Sequence, residues 1–222
     1  MTRPVARRGV AAAGLLLALS LASPLAAQRL RLTAFGAGSQ YREQTAALSF
    51  DGKGFAGRLD LAVGRLGLTV TGSRLDFSES GGAAHGLEPF ELAEIDAAAR
   101  LRLVSVVSIE VGGIRRWATP ELAAQSFRAA RIGLRGDYGI AAGADASLRA
   151  GALGGASFSG GGTADLGLLL GFGLSYGARD RGVRLTIDYE FLRLDRETAV
   201  PGGPARVPIQ SSTARLGLML QL

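Results

Sequence analysis

The chain contains no cysteine. Disulfides, thiolate metal sites and thiol nucleophiles are excluded, and so is an acyl anchor on a cysteine. It has one histidine, His85, in a Gly-rich polar stretch near Glu79 and Glu88. A lone imidazole there reads as a solvated loop residue, and no metal site follows from it. There is no Walker loop, no GxSxG elbow and no HExxH pair. Basic patches with interleaved aromatics are missing as well, which argues against nucleic-acid binding. Aromatic residues are only 6% of the chain. Beyond the N-terminus no run of 18 apolar residues occurs, so no second helix could hold the chain in a bilayer.

The one long apolar run lies at the start. Arg3, Arg7 and Arg8 precede Val10 to Ala22, and Pro24-Leu25-Ala26-Ala27 offers small residues for cleavage before Gln28. Residues 1–27 read as a secretory signal peptide, because about 13 apolar residues fall short of the roughly 17–25 a spanning helix needs. The formal charge of +6 then overstates the basicity. Without those three arginines, 22 basic side chains face 19 acidic ones, a net +3.

What is present, throughout residues 28–222, is alternation. In Leu166–Tyr176 every second residue is Leu, Phe or Tyr, and Gly167, Gly171, Gly173 and Ser175 fall mostly between them. In Val183–Arg193 the apolar set is Val183, Leu185, Ile187, Tyr189 and Phe191. The intervening set is Arg184, Thr186, Asp188, Glu190 and Leu192. Successive side chains of a strand point to opposite faces, so a period of two separates an apolar face from a polar one. Two such runs across a short Gly-flanked turn read as an antiparallel hairpin. Each suffices to cross a membrane, which takes roughly 9–11 tilted residues.

The same unit recurs. Strands are expected at Gln28–Tyr41, Phe55–Val63, Leu66–Phe77, Leu92–Leu103, Val107–Arg116, Phe127–Arg135, Ala144–Phe158, Leu166–Tyr176, Val183–Arg193 and Gln210–Leu222. Thr45–Phe50 could extend the first, with Asp51-Gly52-Lys53-Gly54 as a hairpin turn. A bulge near Gly72-Ser73 would explain why Leu75 and Phe77 share a face with Thr71. Leu92–Leu103 has helix-forming composition, but a helix would mix its arginines and leucines around the circumference. Thr119-Pro120 suggests a capped helical turn within 117–125. Pro201, Pro204 and Pro208 predict a loop over 195–209. The expected fold is all-β: a closed antiparallel up-and-down transmembrane β-barrel of about ten strands, with eight as the alternative and twelve less favoured. An even count with alternating long loops and short turns fits bacterial outer-membrane barrels and puts both termini on the periplasmic side. A soluble exported β-sandwich or lipocalin-like protein is the competing fold.

The leader, the 20-residue strand spacing, the GRLDLAVGRLGLTV hairpin and the apolar last strand resemble the small outer-membrane β-barrel superfamily (OmpA/OmpX/OmpW-like). The resemblance covers residues 28–222 and singles out no one family within it. It departs at Leu222, where that superfamily usually ends in Phe or Trp. It implies a bacterial outer-membrane location, surrounding lipid, and periplasmic chaperones and assembly machinery during biogenesis. Tyr138, Tyr176, Phe77, Phe127, Phe158 and Phe191 are candidates for an aromatic girdle.

The polar faces collect charges of both signs: Arg31, Arg58, Asp60, Asp96, Arg100, Arg102, Glu110, Arg131, Arg135, Asp145, Arg149, Arg184, Asp188, Glu190 and Arg215. A barrel of eight to ten strands has an interior little wider than its side chains. Arg–carboxylate pairs would fill it and close it. The expected function is therefore a structural or surface-interacting outer-membrane protein, monomeric, without enzymatic activity or cofactor. A narrow pore or carrier for small solutes is the alternative. A membrane-embedded hydrolase or acyltransferase using His85 is a second.

Overall fold

The computed structural model describes residues 28–222 except 46, 81–85, 179–181 and 201–202. The leader and His85 lie outside the described residues. Ten strands follow one another: β1 Gln28–Glu43, β2 Leu48–Val63, β3 Leu66–Glu79, β4 Phe90–Arg102, β5 Val107–Thr119, β6 Phe127–Ala141, β7 Ala144–Phe158, β8 Thr163–Gly177, β9 Gly182–Val200 and β10 Gly203–Gln221. Each pairs antiparallel with its neighbours in sequence. β1 also pairs with β10, from Arg31 opposite Gln221 to Glu43 opposite Ile209, so the sheet closes. Closure leaves the ladder no open edge within the apolar band, which hydrocarbon requires because it can satisfy no backbone group.

Parity sorts the side chains. Leu59, Leu61, Leu68, Leu134, Leu170, Leu185 and Leu218 stand on the outside and are exposed, whereas Thr69, Asp96, Glu110, Arg131, Thr186 and Arg215 are buried inside. The outward apolar band runs on β2 from Phe55 to Val63, nine residues, the length of a tilted crossing. Beyond its upper edge the same outward positions turn polar: Lys53 and Asp51 on β2, Arg74 and Asp76 on β3, Arg115 on β5 and Arg128 on β6. The barrel thus continues past the lipid band at the end opposite the termini.

That projecting part is where expectation and structure differ. Asp51–Gly54 is no turn. It lies inside β2, with Gly52 opposite Ser39. Gly52 faces the lumen beneath a phenyl ring, and a Cβ there would come within 2.6 Å of Phe77 Cε1. A Gly52→Val barrel should lose about 1–3 kcal/mol, the usual cost of overpacking. A urea titration that leaves the midpoint unchanged would show that Phe77 can move aside. No bulge occurs at Gly72-Ser73 either, since β3 keeps unbroken register with both neighbours. Leu75 and Phe77 share the face of Thr71 because that face, the lumen, becomes apolar higher up. The irregularities sit elsewhere. One is in β7 between Gly154 and Ser157, where Gly155 has φ +60°, and another in β8 between Thr163 and Gly167. Each inserts one residue and restores Ala156, Phe158 and Ala164 to the inside.

Of the proline-rich stretch expected as a loop, residues 195–200 and 203–209 are strand, with Pro204 opposite Ala199 and Pro208 opposite Asp195, and Pro201 lies outside the described residues. The Pro208 carbonyl accepts from Gln44 N at 3.1 Å, so its backbone polar groups point away from β9. Pro204 has the same parity. The missing N–H groups therefore lie on the side away from β9, past the end of β1, and remove no bond from the β9–β10 ladder. The helical turn expected at Thr119 is a 3-10 turn at Ala123–Gln125, and Thr119 is still strand. β6 runs on past the expected end at Arg135 to Ala141, so its turn is at 142–143. Residues 92–102 are strand, as alternation predicts, and Leu103 lies just past the end.

Candidate functional site

The functional candidates lie in the lumen, in three layers stacked along the barrel axis. The lowest, at the end bearing the termini, is an open vestibule of about 440 Å³. Arg31, Arg58, Asp60, Arg100, Arg102, Arg135, Asp145, Arg184 and Asp188 all face it. Strand parity puts them there: each occupies an inward position near the lower end of its strand. Asp60 accepts from the Thr69 hydroxyl at 2.7 Å. Arg184 reaches Asp145 at 2.5 Å, and Arg100 reaches Asp137 at 3.4 Å.

The middle layer is a mesh of ion pairs. Arg131 Nε lies 2.9 Å from Asp96 and its Nη1 3.4 Å from Glu110. Arg58 meets Asp188 at 2.7 Å. Glu190 joins Arg149 and Arg215, the latter at 3.4 Å, and Arg149 also lies 3.6 Å from Asp96. Arg135 bridges downwards to Asp137 at 2.9 Å. These pairs link β2, β4, β5, β6, β7, β9 and β10, including strands as far apart in sequence as β2 and β9. Ion pairs so buried are stable only when the charges compensate one another, and here nearly every carboxylate touches more than one arginine. A cavity of about 20 Å³ between Arg58, Arg149 and Arg215 has room for one water.

One pair in this layer escaped the sequence reading. Arg116 donates to Glu94 through Nε at 2.8 Å and Nη2 at 2.5 Å, and both residues are buried. The signal was available: Glu94 has the parity of Asp96, and Arg116 that of Glu110. Both lie at the upper ends of strands expected from the sequence, Leu92–Leu103 and Val107–Arg116.

The top layer is apolar. Tyr41, Phe50, Phe77 and Phe90 form one ring cluster, with centroids 5.0–6.4 Å apart. Leu153, Leu169, Leu192, Leu194 and Ile209 are buried around it. Phe127 and Phe158 meet at 5.6 Å on the far wall. Phe77, Phe127 and Phe158 therefore do not belong to an outer girdle. They stand on inward positions at 2%, 4% and 5% exposure. Of the other girdle candidates, Tyr138 and Tyr176 are exposed on the outside, and Phe191 is half-buried there. The 3-10 turn sits over this cluster. Gln125 bonds the Tyr41 hydroxyl at 3.0 Å and Glu43, while Leu122 packs onto the rings. Arg196 holds the neighbouring loop by donating to the carbonyls of Gly160 and Gly161 at 2.7–3.0 Å, over the Phe158 ring. Among the described residues no group of His, Asp and Glu side chains is placed to hold a metal.

Comparison with solved structures bears on the fold. The outer-membrane protease OmpT from Escherichia coli aligns with a TM-score of 0.55 at 8% identity, over 88% of this chain and 96% of that one. Neisserial surface protein A aligns at 0.42 and 17% identity, over 86% and 96%. Ail, the attachment invasion locus protein of Yersinia pestis, aligns at 0.39 and 14%, over 87% and 98%. No protein-family model and no curated protein matches the sequence. At 8% identity the likeness to the protease is one of fold alone, a closed β-barrel, and the ten-stranded up-and-down order is read from this chain's own pairing. With its continuous outward apolar band, that fold belongs in the bacterial outer membrane.

Proposed function

We propose that this outer-membrane barrel is a closed, non-catalytic protein whose role is structural or surface-interacting. The observation that carries the reading is the stacking of two different seals in one lumen. A hydrated ion could exchange water for the charges of the middle layer. It would then meet the phenyl cluster of Phe50, Phe77 and Phe90, which offers no polar partner, and desolvation there is costly. The surface beyond the lipid band is the part left to meet partners. It mixes signs, with Lys53, Arg74, Arg128, Asp76 and Glu91 all outward, and carries the long hairpin of β9 and β10. We take the barrel to be monomeric, ringed by lipid and delivered by periplasmic chaperones to the assembly machinery. Neither cofactor nor nucleic acid enters this reading.

Planar-bilayer recording of the refolded barrel tests the closed lumen. The expected trace shows no stable openings over the range of potentials at which the bilayer survives. Reproducible nanosiemens-scale steps from the unmodified protein would overturn the proposal in favour of a narrow pore.

A further inference from the structure

The lower vestibule has a charge imbalance that the rest of the lumen lacks. Among the described residues seven arginines face it against four aspartates. In the middle layer every arginine lies within 4.0 Å of a carboxylate. In the vestibule, three do not. Arg29 and Arg102 stand exposed at the rim and form no ion pair among the described residues. Arg31, halfway in, donates only to the Gln221 side-chain oxygen, at 3.1 Å. Deeper, Arg184 is 2% exposed, and its Nε is buried without a hydrogen-bond partner although Nη2 holds Asp145. The cationic groups thus continue from rim to floor, and among the described residues the arginines outnumber the aspartates.

We propose that this vestibule is a binding site for a small multivalent oxyanion of the phosphate class. Guanidinium groups match phosphate oxygens in geometry and give short charge-assisted hydrogen bonds. A concave site with low-dielectric walls focuses the field of its charges and raises the local concentration of anions. The volume of about 440 Å³ lies in the range of small-ligand pockets, roughly 300–1,000 Å³. It suits a pyrophosphate or a small phosphate ester and excludes a polymer. Lipid headgroups are excluded because the arginines face the lumen and the band facing lipid is apolar. The entrance is on the side of the termini and the short turns, which in this class is the periplasm. The ion-pair mesh forms the floor, so the site holds its ligand by one entrance. Binding here does not depend on whether the layers above conduct, and bilayer recording judges that question separately.

Inorganic pyrophosphate is the probe, titrated calorimetrically into the refolded barrel in zwitterionic detergent at low salt. The expected result is saturable one-to-one binding tighter than about 1 mM. The Arg31→Gln/Arg102→Gln barrel should bind at least about tenfold more weakly, as befits two lost charge-assisted contacts. The Arg115→Gln/Arg128→Gln barrel removes the same charge from the outer surface and should bind within twofold of the parent. Because Arg102 is at the rim and forms no ion pair among the described residues, Arg102→Gln alone gives a folded variant that must still show weakened binding. Absence of saturable binding by the parent barrel would overturn the proposal. So would equal weakening in the inner and outer double variants, which would mean that net charge alone attracts the anion.

Discussion

Arg131→Met should destabilise the folded barrel by about 3–5 kcal/mol, the cost of leaving buried charge without its partner. Arg131 is 5% exposed and stands between Asp96 and Glu110, at 2.9 and 3.4 Å. Methionine keeps the apolar stem and deletes the charge. Asp96 would retain only Arg149, at 3.6 Å, and Glu110 only Arg135, at 4.0 Å. Two carboxylates in a lumen without bulk water would then have to take up protons or draw water inward. Equilibrium unfolding in lipid vesicles measures the loss, with the single tryptophan, Trp117, as the reporter. The variant Arg131→Met/Asp96→Asn/Glu110→Gln should recover most of it, since neutral amides carry no uncompensated charge. A loss below about 1 kcal/mol would place Arg131 among solvated ion pairs, which contribute little, and would make the middle layer wet.

Leu170→Arg should cost about 2–4 kcal/mol, the penalty of a cation on the lipid face near the bilayer midplane. Leu170 is the third of the six outward residues that run from Leu166 to Tyr176, and it is 41% exposed. That exposure is to hydrocarbon. Tyr176→Arg is the matching control. Tyr176 is 67% exposed at the lower end of the strand, where an arginine reaches the interface and the penalty falls to about 0–1 kcal/mol. Refolding yields and urea midpoints in vesicles should therefore separate the two positions. If Leu170→Arg behaves like Tyr176→Arg, the outward assignment of β8 is wrong, and with it the height of the lipid band.

Much of this molecule was readable from residue order. Leu166 to Tyr176 and Val183 to Phe191 announced a hairpin, and Ile95, Ala97, Ala99 and Leu101 outvoted a helix-like composition. Misreadings cluster above the lipid band. There the outward face is polar, so Asp51–Gly54 mimics a turn, and Pro204 and Pro208 imitate a loop. The inward face becomes apolar at the same height, so Phe77, Phe127 and Phe158 looked lipid-facing. For Phe77 and Phe127 parity contradicted that hydropathy and was the better guide, because the direction of a side chain from a strand is set by the backbone. Phe158 has outward parity by residue order, and only the extra residue of the β7 bulge turns it inward.

Residue order by itself therefore determined which side chains face lipid and which face inward along each crossing. A period of two is a local property of extended backbone and needs no knowledge of the partner strand. Only the tertiary structure decided who meets whom inside. Arg58 finds Asp188 from 130 positions further along because β1 and β10 close the sheet, and nothing local encodes that distance. Closure also sorted one inward face into an arginine-rich vestibule, an ion-pair mesh and a phenyl seal. Those layers depend on the height of each residue in a tilted strand, which register and closure set together.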